Sequence, residues 1–118
     1  MAKFDRERYL RNLQPHDLWG RNLRYALLTL LEQAGRPCSI SELIEQLEAL
    51  GLVLRGTNQP KTIGDALRWE VTKGRVRRTA RGTYESGFRP PSTARKHRER
   101  LRDLVDEGRR RRAHGEAA

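Results

Sequence analysis

The chain has 118 residues, 36% of them hydrophobic and 34% charged, with a formal net charge of +10. That length suits one small domain with one modest core, and no run approaches the ~18 consecutive apolar residues of a membrane span. A single cysteine, Cys38, excludes an internal disulfide and agrees with a reducing compartment.

The opening MAKFDRERYL mixes charges of both signs and lacks the apolar stretch of a signal peptide, so a cytosolic protein is expected. His16, His97 and His114 are scattered, and none stands with Cys38 or a carboxylate at metal-ligand spacing. GxSxG, P-loop, HExxH and dinucleotide fingerprints are all missing from the sequence. No catalytic residue, metal or cofactor is therefore expected. The charge is unevenly placed. Residues 1–54 balance seven basic against seven acidic residues, whereas 55–88 and 89–118 each carry an excess of +5. A chain neutral in one half and basic in the other suggests a surface turned toward a polyanion.

Residues 1–16 read as an extension, with Phe4, Leu10 and Leu13 as anchors of a short charged segment that Pro15 interrupts. The first strong helix lies in DLWGRNLRYALLTLLEQAG, with Asp17 as N-cap and Gly35 as terminator. Trp19, Leu23, Ala26, Leu27, Leu30, Leu31 and Ala34 share one stripe, which makes this a core helix with Trp19 inside. Pro37 bars its continuation, and Cys38 to Ile40 suit a very short strand, with Cys38 as a small buried residue.

Ser41 is the expected cap of a second helix, with Glu42 in the first turn where its charge suits the helix dipole. Leu43, Ile44, Leu47 and Leu50 form its buried face, Gly51 stops it, and Glu42, Glu45 and Glu48 leave it acidic outside. Leu52 and Leu54 can still reach the core, and Gly56, Asn58 and Pro60 mark a turn. Pro60 and Gly74 then bracket a third helix, KTIGDALRWEVTK. Ile63, Ala66, Leu67 and Val71 point one way. Lys61, Asp65, Arg68 and Thr72 point the other, with Thr62 on the flank beside Trp69, a partly buried packing residue.

GRVRRTARGTY follows. Val76 and Tyr84 flank Ala80-Arg81-Gly82, a three-residue loop that fits a hairpin closed by a left-handed glycine. Thr79 and Thr83 suit its strands. SGFRPPS ends the 17–88 unit. Residues 92–107 suit an amphipathic helix capped by Ser92, with Ala94, His97, Leu101, Leu104 and Val105 on one side. The RRRR run at 109–112 and the terminal AHGEAA read as disordered. Leu101, Leu104 and Val105 serve either a fold-back contact or a homodimer through this helix; its basic side also suits DNA or a membrane surface.

Three helices and a two-stranded hairpin, with the third helix opening directly into the hairpin, resemble a winged helix-turn-helix domain over residues 17–88. The expected class is mainly α with a small β-hairpin and a C-terminal helix. Within that superfamily the chain is most similar to the HARE type, through SISELIEQLEALGL, GTNQPKTIGDAL and KGRVRRTARGTY. The resemblance implies a third helix in the major groove of double-stranded DNA and a wing on the backbone or minor groove.

The residue chemistry agrees with that placement. Arg68 can fork onto a guanine's O6 and N7. Lys61 and Thr62 suit phosphate at the helix start. Thr72 and Lys73 continue the exposed side. Arg81 beside Gly82 is best placed for a minor groove, and Arg75, Arg77 and Arg78 neutralise phosphates, although strand alternation keeps them from all facing one way. Asp65 either accepts from a cytosine amine or repels phosphate. The expected role is transcription regulation or chromosome organisation on the cytoplasmic nucleoid, without a membrane partner. RNA or ribonucleoprotein binding is the alternative, as is a protein-interaction module docking through the acidic second helix.

Overall fold

The computed structural model describes residues 17–54 and 56–117. The expected N-terminal anchors Phe4, Leu10 and Leu13 lie outside the described residues. In chain order the elements are β1 (Asp17–Leu18), α1 (Gly20–Ala34), β2 (Cys38–Ser39), α2 (Ile40–Ala49), β3 (Val53–Leu54), α3 (Gln59–Thr72), β4 (Val76–Ala80), β5 (Thr83–Ser86) and α4 (Pro91–Ala117). The protein is mainly helical with a small antiparallel sheet of order β2-β5-β4. β1 and β3 form a separate two-residue parallel pair, Asp17 opposite Val53 and Leu18 opposite Leu54.

That pair corrects the expected start of α1. Asp17 belongs to β1, and the N-cap is Trp19, with extended backbone and no capping side chain. Trp19 is 38% exposed rather than core. It stands before the first helical turn, so the periodicity that carries Leu23 inward does not extend to it. The far end of α1 is as expected: Gly35 adopts the left-handed conformation and its N–H donates to the Leu31 carbonyl. α2 begins earlier than expected because Ser39, not Ser41, caps it. The Ser39 hydroxyl accepts from the Glu42 amide at 3.1 Å and the Glu42 carboxylate accepts from the Ser39 amide at 3.4 Å, a reciprocal capping box. Arg36 adds an ion pair to Glu42 at 2.8 Å.

α1 is buried on more than the expected stripe. Leu28 and Thr29 are as enclosed as Leu23, Ala26, Leu27, Leu30 and Leu31, because α4 covers the face that α2 and α3 leave open. Leu101, Leu104 and Val105 of α4 join the same core cluster as Leu27, Leu43, Leu47, Ile63 and Leu67. The fold-back use of α4 is thus the one realised within the chain. A helix apolar on both sides is stable in water only when covered on both.

α4 is also longer than expected. It runs through the arginine cluster to Ala117. Glu107 pairs with Arg110 at 2.7 Å and Arg111 at 3.1 Å, which relieves repulsion along the run at helical spacing. Arginine also has good helix propensity and suits a helix C-terminus.

Polar side chains fix where α4 crosses α1. Arg89 is 8% exposed and donates to the Leu28 carbonyl at 3.4 Å and to Glu32. Its NH1 also lies 2.6 Å from His97 Nδ1. A guanidinium only donates, so Nδ1 accepts and the imidazole is neutral. His97 stacks on Tyr25 with centroids 4.1 Å apart, and Arg98 reaches Glu32 at 2.6 Å.

Burial first, and then the charge of Arg89, pull the His97 pKa below its usual value. A depressed folded pKa means that stability from the neutral imidazole is full above the unfolded value of about 6.5. It is lost as pH falls below that value, levelling off under the folded one. Urea denaturation from pH 7 to 5.5 should therefore show wild-type stability falling, and His97→Gln should flatten that fall.

Candidate functional site

α3 is built to present one polar face. Asn58 caps it, its side chain accepting from the Lys61 amide at 3.1 Å, and Pro60 sits in the first turn where no backbone donor is needed. Ile63 and Leu67 are fully buried, and Lys61, Asp65, Arg68 and Thr72 are exposed. Gly64 faces α2: a Cβ there would sit 3.7 Å from Ile40 Cδ1. That small residue lets α3 lie close to the start of α2.

The hairpin turns more tightly than expected. Ala80 is the last residue of β4, opposite Thr83, and a register shift falls between Arg78 and Ala80. The turn is Arg81-Gly82, with Gly82 at φ 69, the left-handed backbone that glycine adopts without strain. At the base, Gly87 donates to the Arg75 carbonyl at 2.8 Å. A Cβ on Gly87 would come within 2.6 Å of the Gly74 carbonyl oxygen, so this crossing requires glycine.

β2 is what places the hairpin. Cys38 pairs with Tyr84 and Ser39 with Thr83, and the Ile40 amide donates to the Gly82 carbonyl at 3.1 Å. The tip is thereby tied to the first residue of α2, which is the residue that α3 packs against through Gly64. A concavity of about 280 Å³ results, lined by Ile40, Pro60, Lys61, Gly64, Arg68, Arg78, Arg81, Gly82 and Tyr84. Four cationic side chains from two elements thus border one hollow.

The ten residues singled out from the sequence divide in space. Lys61, Arg68, Arg78, Arg81 and Gly82 line this hollow. Lys61 donates to Asp65 at 3.0 Å and Arg68 donates to the other oxygen of the same carboxylate. The Lys61 bond is the chief cause that holds the Asp65 carboxyl below the usual range. Arg78 Nε donates to the Ala80 carbonyl at 3.3 Å, whereas Arg81 makes no such bond among the described residues. Thr62 and Thr72 donate to the carbonyls of Asn58 at 3.0 Å and Trp69 at 2.6 Å. Lys73 lies over the Trp69 ring at 4.7 Å, a cation–π contact. Arg77 pairs across the strands with Glu85 at 3.2 Å.

Arg75 is the outlier. It turns inward and grips Glu70 through Nε and, at 3.1 Å, through NH2. Glu70 is 1% exposed and also takes Arg24 at 3.3 Å. Sequence reading assigned Glu70 no role. Its angle on α3 lies among the apolar residues, where an acid is tolerated only if paired, and that conflict was the available signal. Trp69 also departs from expectation, 51% exposed rather than partly buried. Phe88 is 75% exposed, its amide donating to the Gly74 carbonyl at 3.2 Å.

No family model, curated protein or solved structure matches the chain. Among the described residues no three His, Cys, Asp or Glu side chains are grouped to hold a metal ion, and no helix is long and apolar enough to cross a membrane.

Glu70 joins three elements, α1 through Arg24, α3 through itself and the hairpin base through Arg75. Glu70→Gln keeps the volume but removes the charge. It should lower stability by about 2 kcal/mol, less than for a fully buried pair because both arginines can still reach water. Chemical denaturation would check this, and an unchanged midpoint would mean that the ion pairs contribute nothing net.

Proposed function

We propose that this chain is a winged helix-turn-helix protein that binds double-stranded DNA, with α3 in the major groove and the β4–β5 hairpin on the backbone or minor groove. The observation that carries this reading is the shared hollow of Lys61, Arg68, Arg78 and Arg81. A helix face and a hairpin tip bordering one cationic concavity suit a duplex, whose groove takes the helix while its phosphates meet the rim. The element order α1-β2-α2-α3-β4-β5 and the sheet order β2-β5-β4 support the winged-helix assignment. The role is transcription regulation or chromosome organisation on the cytoplasmic nucleoid.

Affinity then comes chiefly from phosphate contacts, and base preference from α3. Arg81, exposed at the tip, makes a general contribution. Arg68 reads a base edge. Asp65 holds Lys61 and Arg68 in the free protein, so these cations reach phosphate only when the carboxylate is displaced or finds its own donor, such as a cytosine amine. On random sequence it opposes binding; on a suitable base step it is satisfied.

Exposed Trp69 and Phe88 favour one second reading, in which unpaired bases of RNA stack on these rings. Competition among duplex DNA, duplex RNA and single strands separates the two. Preference for RNA or single strands overturns the duplex-DNA reading.

Fluorescence anisotropy with random duplexes across a salt series should give a log–log slope near −5 if about six phosphates are neutralised. Flat binding from low to moderate salt would count decisively against the proposal. Arg81→Ala should weaken binding to all sequences alike, while Arg68→Ala should also relax discrimination at one base pair by roughly 1–3 kcal/mol. Asp65→Asn should do the opposite on random DNA, tightening binding and steepening the slope by about 0.9 for each cation that gains a phosphate.

A further inference from the structure

Tyr84 is 4% exposed and belongs to the core cluster, yet its hydroxyl makes no hydrogen bond among the described residues. A buried hydroxyl without a partner is destabilising, so most find one. Thr29, equally enclosed, donates to the Tyr25 carbonyl at 2.9 Å. Tyr84 instead borders open space: it lines the cationic hollow between α3 and the hairpin.

The groups around that space are donors. Arg78 stands opposite Tyr84 across β4 and β5, and cross-strand partners carry their side chains on one face, with Cβ atoms about 5 Å apart. Among the described residues Arg78 uses only its Nε, toward the Ala80 carbonyl, which leaves both terminal nitrogens free to donate. Arg81 joins it from the hairpin tip, and Lys61 and Arg68 face it from α3. No carboxylate lines the hollow; Asp65, which tethers Lys61 and Arg68, lies outside its lining. Gly64 keeps the space open, since a Cβ there would have only Ile40 Cδ1 within 4 Å. A volume of about 280 Å³ falls just under the ~300 Å³ at which pockets for whole small molecules begin, so the hollow is sized for one group of a larger ligand. The donors approach from both the hairpin and α3, with Tyr84 the buried one among them. A planar carboxylate would meet only some of these directions, whereas the tetrahedral oxygens of a phosphoryl group suit them all.

We propose that the hollow is a site for one phosphoryl group and that the Tyr84 hydroxyl is its inner donor. Tyr84 Oη donates to one oxygen, Arg78 and Arg81 hold the group from the hairpin, and Lys61 closes on it from α3 once it leaves Asp65. Arg68 remains available for the base edge assigned to it above. A backbone phosphodiester and a free phosphate offer the same oxygens; the inference names the ligand chemistry of the hollow and rests on the duplex-DNA reading only for the source of the group. With a duplex as source, this contact fixes where the hairpin sits along one strand, since phosphate contacts position a protein rather than read sequence.

Tyr84→Phe in the full chain tests this, because it removes the hydroxyl oxygen and keeps the ring. Duplex binding followed by fluorescence anisotropy should weaken about tenfold, as for one lost hydrogen bond to a charged acceptor. The log–log salt slope should stay unchanged, since a neutral donor releases no counterion; Arg78→Ala should weaken binding and also reduce the slope by about 0.9. The melting temperature of free Tyr84→Phe should hold or rise, because no bond within the protein is lost. A clear drop would mean that the hydroxyl already has a partner, and would overturn the proposal. Single methylphosphonates along one strand then locate the contact. At one position the substitution should cost the wild type about tenfold more than it costs Tyr84→Phe, the non-additivity of groups that touch; additive losses at every position overturn the proposal. Calorimetric titration with inorganic phosphate at constant ionic strength separates the two sources. Phosphate binding that depends on Tyr84, in a chain that ignores duplex DNA, would keep the phosphoryl site and sink the duplex reading. Duplex and phosphate binding that are both indifferent to Tyr84→Phe would sink the site and leave the duplex reading standing.

Discussion

The placement of the hairpin depends on the two-residue strand between α1 and α2 and on the first residue of α2. Cys38 and Ser39 add a third strand to what would otherwise be a free two-stranded ribbon, and the Ile40 amide holds the Gly82 carbonyl. An isolated hairpin is marginal in water. Pairing with β2 gives this one a buried side, with Cys38, Val76 and Tyr84 all inside. Burial raises the pKa of the Cys38 thiol, which suits a small packing residue rather than a reactive one. Because Ser39 is both the last residue of β2 and the cap of α2, the sheet and the helix start share one fixed point. Arg81 is thereby held beside the first turn of α3.

The same economy governs the ionic residues. Glu70 and Glu32 are drawn inward, each by two arginines from other elements, Glu70 by Arg24 and Arg75 and Glu32 by Arg89 and Arg98. These pairs join elements that apolar contact alone would leave free to slide, and the geometry of a guanidinium suits that use. Each of these carboxylates also engages two arginines, so Arg75 at the hairpin base and Arg98 of α4 add less to the outer charge than the sequence suggests. Asp65 is the acid that stays on the exposed face of α3, between Lys61 and Arg68, and it tempers the charge of the hollow where the other acids have been withdrawn.

α4 has two roles set by its two sides. Ala94, His97, Leu101, Leu104 and Val105 face inward and complete the burial of α1. Its outer side keeps arginine at high density, steadied by the pairs of Glu99 with Arg95 and Glu107 with Arg110 and Arg111. A tail of arginines in isolation would repel itself, but a helix already anchored over about three turns can carry such a run further at little cost.

Much of this was legible in the chain itself. Period-3.6 apolar spacing located α1, α2 and α3, because each buries one stripe. Gly35, Gly74 and Gly82 marked the turns, because the backbone there is left-handed. The polar face of α3 followed from the same periodicity. What could not be read depended on partners distant in sequence. Asp17 suits a cap by composition, yet Val53 claims it for a strand; Ser39 outcompetes Ser41 as cap because Thr83 fixes its backbone as extended. Arg75 and Arg78 belong to the same basic stretch, and only Glu70 beneath the hairpin base decides that Arg75 turns in while Arg78 stays at the hollow. Local pattern determined which segments are helical and which residues are cationic. Packing between segments decided which cations meet, because that depends on where the chain crosses itself.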